Sequence, residues 1–245
     1  MHPFYLLVIL GFLFLILVSI LALLHGRSIP NGSQAQAEGV SRVSTRRPGS
    51  IQLRTLIYDE GDWDANRGSL ENLAIFARMH LALAIDILPP IRGRDLREQD
   101  SLFLYATGHR GFNLQGPDLE QWILYIERGG FCLIEDNNGM DIAFRAFVNR
   151  NFPGAQMRPM SRDPQMFAKP FALDQYPKVM EHDGQPAQLL RVVDSLNLFY
   201  SFSSDLGDGW ESPRSHRIPQ SRRIPALRMG CNLIQFAANL AGPAT

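Results

Sequence analysis

Lysine is scarce in this chain. Of 24 cationic side chains only Lys169 and Lys178 are lysines, and the 24 carboxylates bring the formal net charge to zero. A chain without cationic excess has no long-range attraction for a polyanion, so no nucleic-acid partner is expected. The arginine bias itself is given no functional weight. Cysteine is scarcer still: Cys132 and Cys231 both fall inside apolar segments, which excludes a disulfide scaffold and makes them buried thiols. The glycine-rich segment DLGDGWE at 205 to 211 lacks the GxGxxG spacing of a dinucleotide site, has no lysine for a phosphate loop and no CxxC. No internal repeat is present.

The one long apolar run opens at Phe4 and closes at Leu24, 21 residues without a charge. At 1.5 Å per residue such a helix crosses a hydrocarbon core of ~30 Å, so residues 4–24 read as a transmembrane helix and the membrane as a partner. A cleaved signal peptide is the competing reading, because Ala35, Gln36 and Ala37 have the small-x-small form. The run is longer than a signal core and no basic region precedes it, which favours an uncleaved signal anchor. Arg27, Arg42, Arg46 and Arg47 follow the span, and the positive-inside rule would hold the remainder in the cytoplasm. A leader acting as a signal would place it outside. Residues 25–50 have the composition of a flexible linker.

From residue 51 to 245 one domain is expected. IQLRTLIY reads as a first strand, followed by a helix with Leu70, Leu73, Ala74, Ala77, Leu81 and Ala84 on one face. Further strands are expected over 84 to 88, 101 to 106 and 131 to 135. A helix over 117 to 128 opens on a proline and is stopped by Gly129 and Gly130, and another spans 141 to 149. Two strands within 188 to 193 and 196 to 203 follow. A closing helix carries Leu227, Cys231, Ile234, Ala238 and Ala241 on one face. Strands alternating with helices give an α/β fold with a mostly parallel sheet.

Four polar turns each follow an apolar run: YDEGDW at 58 to 63, ATGH at 106 to 109, EDNNG at 135 to 139, and DLGDGWE. In an open α/β sheet such turns meet at the carboxyl ends of neighbouring strands, where ligands bind. The expected ligand-binding cleft comprises Tyr58, Asp59, Asp62, Trp63, Thr107, Gly108, His109, Glu135, Asp136, Asn137, Asp205, Trp210 and Glu211. The crowded carboxylates of the first turn would either meet a cation or cap the following helix. Asp62, Asp64 and Asn66 have the spacing of a calcium loop, but Arg67 and Leu73 stand where that loop needs Gly and Glu. His109, Glu135 and Asp136 are the catalytic candidates, and Asp62, His109 and Asp136 could hold a divalent metal. Thr107 and His109 occupy the position of a nucleophile elbow without a Ser or Cys, so acyl transfer is not expected. Trp210 is read either as a cleft wall or as core.

The segments YDEGDW, LYATGH, GGFCLIEDNNG with FRAF after it, SSDLGDGWE and LRMGCNLIQFAANL together resemble the bacterial domain of unknown function 4159 over residues 51 to 242. The resemblance implies a three-layer sandwich like the class I glutamine amidotransferases (flavodoxin-like), often membrane-tethered or exported and without the amidotransferase cysteine. Many relatives show a DDC or DDS turn where Glu135, Asp136 and Asn137 stand here. Two functions are open: a tethered ligand-binding or assembly module, with membrane-complex proteins as partners, or a hydrolase of a polar, glycan-like substrate using Asp62, His109, Glu135, Asp136 and Asp205 with a metal or activated water.

Overall fold

The computed structural model describes residues 50–97, 102–161, 163–182 and 184–240. The apolar run at 4–24 and its linker lie outside them. Among the described residues no helix is long and apolar enough to cross a membrane.

Eight strands form one mixed sheet: β1 (Ser50–Ile57), β2 (Ala84–Ile87), β3 (Ile91–Arg92), β4 (Leu102–Gly108), β5 (Phe131–Asp136), β6 (Arg158–Pro159), β7 (Gln188–Arg191) and β8 (Leu198–Phe202). The order is β2-β1-β4-β5-β8-β7-β6, with β3 also paired to β1. β2, β1, β4, β5 and β8 run parallel, and β7 and β6 extend the sheet antiparallel. β2 and β3 are two pieces of one edge against β1, separated at Pro89 and Pro90. Proline has no N–H for a ladder, so it is confined to an edge and breaks it there.

Side-chain alternation sorts the core into two layers. Leu53, Phe103, Leu133 and Phe199 pack with α1 (Ser69–His80) and the closing helix α6 (Gln220–Leu240). Leu104, Cys132 and Leu198 face the other way, onto α2 (Gly116–Glu127) and α3 (Asp141–Asn151). Both faces of β4 and β5 are therefore covered, and every residue of these two strands is buried. The remaining helices are short: α4 (Pro164–Phe167) and α5 (Leu206–Trp210).

The expected elements are present with shifted ends. α1 stops at His80, so Leu81 and Ala84 leave the predicted helical face. Leu81 is extended and gives its N–H to Ala77 O at 2.8 Å, while Ala84 opens β2. The Arg78 guanidinium closes this end by donating to Ile85 O at 2.6 and 3.0 Å. Gly129, at φ 94°, takes the left-handed conformation that stops α2. Leu227, Cys231 and Ile234 are buried on α6 as expected, whereas Ala241 lies outside the described residues. β6 carries no sequence signal, being two exposed residues at an edge.

Candidate ligand site at the carboxyl edge of the sheet

Because β1, β4, β5 and β8 are consecutive neighbours, the four polar turns come together at one edge. Among the parallel strands, β1 is followed by β2 and β3 on one side and by β4 on the other, so the chain reverses direction between β1 and β4. Such a switch point opens a crevice at the carboxyl ends.

The first turn and the end of β4 interlock. Tyr58 is buried and its hydroxyl donates to Thr107 O at 2.9 Å. A Cβ at Gly108 would lie 2.0 Å from Tyr58 Oη and 2.9 Å from Asp62 Oδ1, so only glycine fits. Asp62 then receives the His109 N–H on Oδ1 and the His109 ring Nδ1 on Oδ2, each at 2.9 Å. Burial pushes the Asp62 carboxyl up, but these bonds outweigh it and hold the group below its ordinary value. His109 is half exposed.

The other carboxylates of this turn find separate answers. Asp59 forms an antiparallel bridge with Asn113 and an ion pair with Arg92 at 3.3 Å. Glu60 accepts from Asn113 Nδ2 at 2.8 Å, and Asp64 pairs with Arg67. None caps α1, whose N-cap is Gly68 without a side-chain bond. The calcium-loop residues likewise diverge, since Asp62 meets His109, Asp64 meets Arg67 and Asn66 turns inward.

Below the edge lies a buried polar network. Glu135 is fully buried under α5: Tyr105 donates its hydroxyl to Oε2, and Gly207 N–H reaches Oε1 and Oε2 at 3.1 and 3.0 Å. Burial raises Glu135 to about 8, and the neighbouring charge of Asp205 pushes the same way. Its carboxyl therefore keeps a proton to a higher pH than an ordinary glutamate. Asp136 instead points across the sheet, and its Oδ1 accepts Gly139 N at 2.8 Å and Met140 N at 2.7 Å at the start of α3. Asn66 donates to Asp208 Oδ1 at 2.7 Å and accepts from Asn137 Nδ2 at 2.7 Å. His216 reaches Glu211 Oε2 at 3.1 Å and Asp208 Oδ1 at 3.7 Å.

Asp205 is buried in a left-handed backbone (φ 53°, ψ 48°) that asparagine and aspartate tolerate best among non-glycine residues. Burial lifts its carboxyl to about 6 against the pull of His182, with which it forms an ion pair, and Asp208 adds to the rise. Neither Asp62 nor Asp205 meets Arg145, whose Nε goes to Asp141 at 2.7 Å.

Asp62 and His109 are thus brought together, while Glu135, Asp205 and Asp136 are held by separate partners. Among the described residues no group of three or more His, Cys, Asp or Glu side chains is disposed to hold a metal ion. Trp210 is core: it is fully buried, packs tilted against the Tyr105 ring at 5.3 Å and donates Nε1–H to Ala226 O at 2.9 Å. Tyr105, His182, Asp208 and His216 were not anticipated, and Asn66 only through its calcium-loop spacing. Tyr105 could have been found, since it stands two residues before Thr107 and so shares its face of the sheet.

Beside the interlocked turns opens a cavity of about 260 Å³. Its apolar lining includes Trp63, Leu70, Ile87, Leu88 and Pro90, with Thr55, Tyr105 and Thr107 from the strands and Asp64, Arg67, Gly68 and Glu71 from the start of α1. Thr107 is 2% exposed, and its Oγ1 meets no partner at hydrogen-bond distance among the described residues. Slightly beyond that distance the Thr107 hydroxyl still donates toward the Tyr105 oxygen, and Tyr105 in turn donates to Glu135.

No curated protein matches the chain. The family model for the domain of unknown function DUF4159 matches residues 52–238, which span β1 through nearly all of α6. The chain belongs to that family.

Proposed function

We propose that this domain is a ligand-binding or assembly module, tethered to a membrane by residues 4–24, whose crevice has the amidotransferase-like (flavodoxin-like) form without its nucleophile. The observation that carries this reading is the end of β4. Thr107 is buried, Gly108 admits no side chain against Tyr58, and His109 leans on Asp62, so no activated hydroxyl or thiol stands at the elbow position. What the edge does offer is a partly apolar cavity with few polar groups, the usual make-up of a small-molecule site. Membrane-complex proteins are the partners a tethered module of this kind would serve. The flanking arginines favour a cytoplasmic domain.

A second reading, a hydrolase acting on a polar, glycan-like substrate, is favoured by one observation. Asp62 fixes both the backbone and the ring of His109, an arrangement that orients an imidazole as a general base. Thermal unfolding of the full-length chain with Zn, Mn, Mg or Ca, in the wild type and in His109→Ala, separates the two. A ligand bound by the native state alone raises its midpoint. No metal-dependent rise is expected. A rise of several degrees with one metal, lost in the variant, would replace the binding reading with the hydrolase.

A further inference from the structure

We propose that the exposed end of α1, together with Phe171 and Arg228 beside it, rests on the anionic lipid surface of the membrane that carries the chain. The proposal rests on the tethered reading above and adds the face that the domain turns to the bilayer.

The face begins with two apolar side chains that the fold leaves in solvent. Ile75 and Met79 are 56% and 68% exposed and stand four residues apart on α1, so they share one side of the helix. The other large apolar side chains exposed among the described residues, Leu124, Ile142 and Leu240, each stand alone on a different helix. Single exposures of that kind are ordinary, whereas the α1 pair continues into a larger patch.

Phe76 and His80, on the neighbouring stripe of α1, have ring centroids 4.4 Å apart, and Phe171 lies against them at 6.3 and 5.4 Å. Phe171 is held there by Asn232 of α6, which accepts its N–H at 2.9 Å and donates to its carbonyl at 2.7 Å. Phe76 and Phe171 stay half-buried, so their rings extend the apolar area of Ile75 and Met79.

The charge around this patch has one sign. The Arg228 guanidinium lies 5.5 Å over the Phe171 ring, Lys169 is two residues from Phe171, and Arg78 precedes Met79. All three are exposed, and among the described residues none has a carboxylate partner. Arg78 donates to the Ile85 carbonyl, which leaves its charge unneutralised. Glu71, the one carboxylate of α1, stands in the first turn, about 12 Å along the axis from Met79. Apolar and aromatic groups bordered by unpaired cations suit a bilayer interface, where the former enter the headgroup boundary and the latter meet anionic headgroups.

The attachment of the chain favours lipid over a protein partner. β1 begins at Ser50, which pairs with Ala84, and Ala84 is only four residues beyond His80. The chain that leads back to residues 4–24 therefore joins the domain at the end of α1 that carries Met79, and Arg46 and Arg47 precede that junction in sequence. Anionic lipids concentrate in the cytoplasmic leaflet, the side that the flanking arginines favour.

The full-length chain with Met79→Cys, labelled in detergent with an environment-sensitive fluorophore and reconstituted into vesicles, reads the contact. Both native thiols are buried and stay unlabelled. Gln121→Cys, exposed on α2 across the sheet, is the reference. In vesicles of equal parts phosphatidylcholine and phosphatidylglycerol, a nitroxide near the headgroup end of the acyl chains is expected to quench the label at position 79 several-fold more strongly than the label at position 121. Pure phosphatidylcholine, or Lys169→Gln with Arg228→Gln at an unchanged unfolding midpoint, is expected to bring the two to one level, because the attraction of the cations is lost. A chain that floats with neither kind of vesicle would overturn the tethered reading and the proposal with it. Flotation with equal quenching at the two positions would overturn the proposal alone. Stronger quenching at position 79 that persists in pure phosphatidylcholine would overturn the assignment to anionic lipid.

Discussion

At the scale of single residues, the buried carboxyls dictate how this protein answers pH. Glu135 titrates near 8 in the fold against an ordinary value of 4.5, because burial opposes its ionisation and Asp205 adds to the effect. Between those values the unfolded chain gives up a proton that the folded one keeps, so stability falls as pH rises from about 4.5 to about 8. Asp205 acts in the same sense between 3.8 and about 6. In Glu135→Gln, midpoints measured across this range are expected to fall only up to about pH 6 and then level off; a wild-type slope persisting to pH 8 would remove Glu135 as its source. Gly108 makes a steric counterpart. Gly108→Ala sets a methyl 2.0 Å from Tyr58 Oη and is expected to cost about 1–3 kcal/mol in denaturant unfolding. Tyr58→Phe removes that oxygen, so the double variant is expected to recover part of the loss, a coupling that two independent sites would not show.

At the scale of elements, the turn after β5 illustrates what a sequence can and cannot announce. Asp136 reads as a catalytic candidate because two adjacent carboxyls end an apolar strand, yet alternation sends Glu135 to one face and Asp136 to the other. Asp136 accepts the Gly139 and Met140 N–H groups in the turn that leads into α3, and Asp136→Ala is expected to cost about 0.5–2 kcal/mol with faster amide exchange at those two residues. Elements with strong periodicity were legible: β4, β5, α2 and α6 stand where apolar spacing places them, since burial on defined faces leaves one solution. The cavity and the polar network were legible only in part. Trp63 lies in a turn after β1 and Thr107 at the end of β4, both marked by the apolar runs before them, but His182 and His216 come from proline-rich connections without periodicity, and tertiary packing alone brings them to Asp205 and Glu211. The helix-capping alternative for Asp59 and Asp62 failed for the same reason, while Asp64 pairs locally with Arg67. Long-range partners, His109 and Arg92 among them, out-compete a local cap that Gly68 already shapes.

At the scale of the whole molecule, both hydrophobic clusters are drawn from residues 51 to 237, and the sheet that divides them begins at Ser50. Among the described residues, each face of that sheet is closed by helices of the same segment. A fragment starting at Gly49 is therefore expected to unfold in one cooperative transition, with a midpoint within about 2 °C of the corresponding transition of the full-length chain. Loss of the sharp transition would mean that the leader contributes to folding.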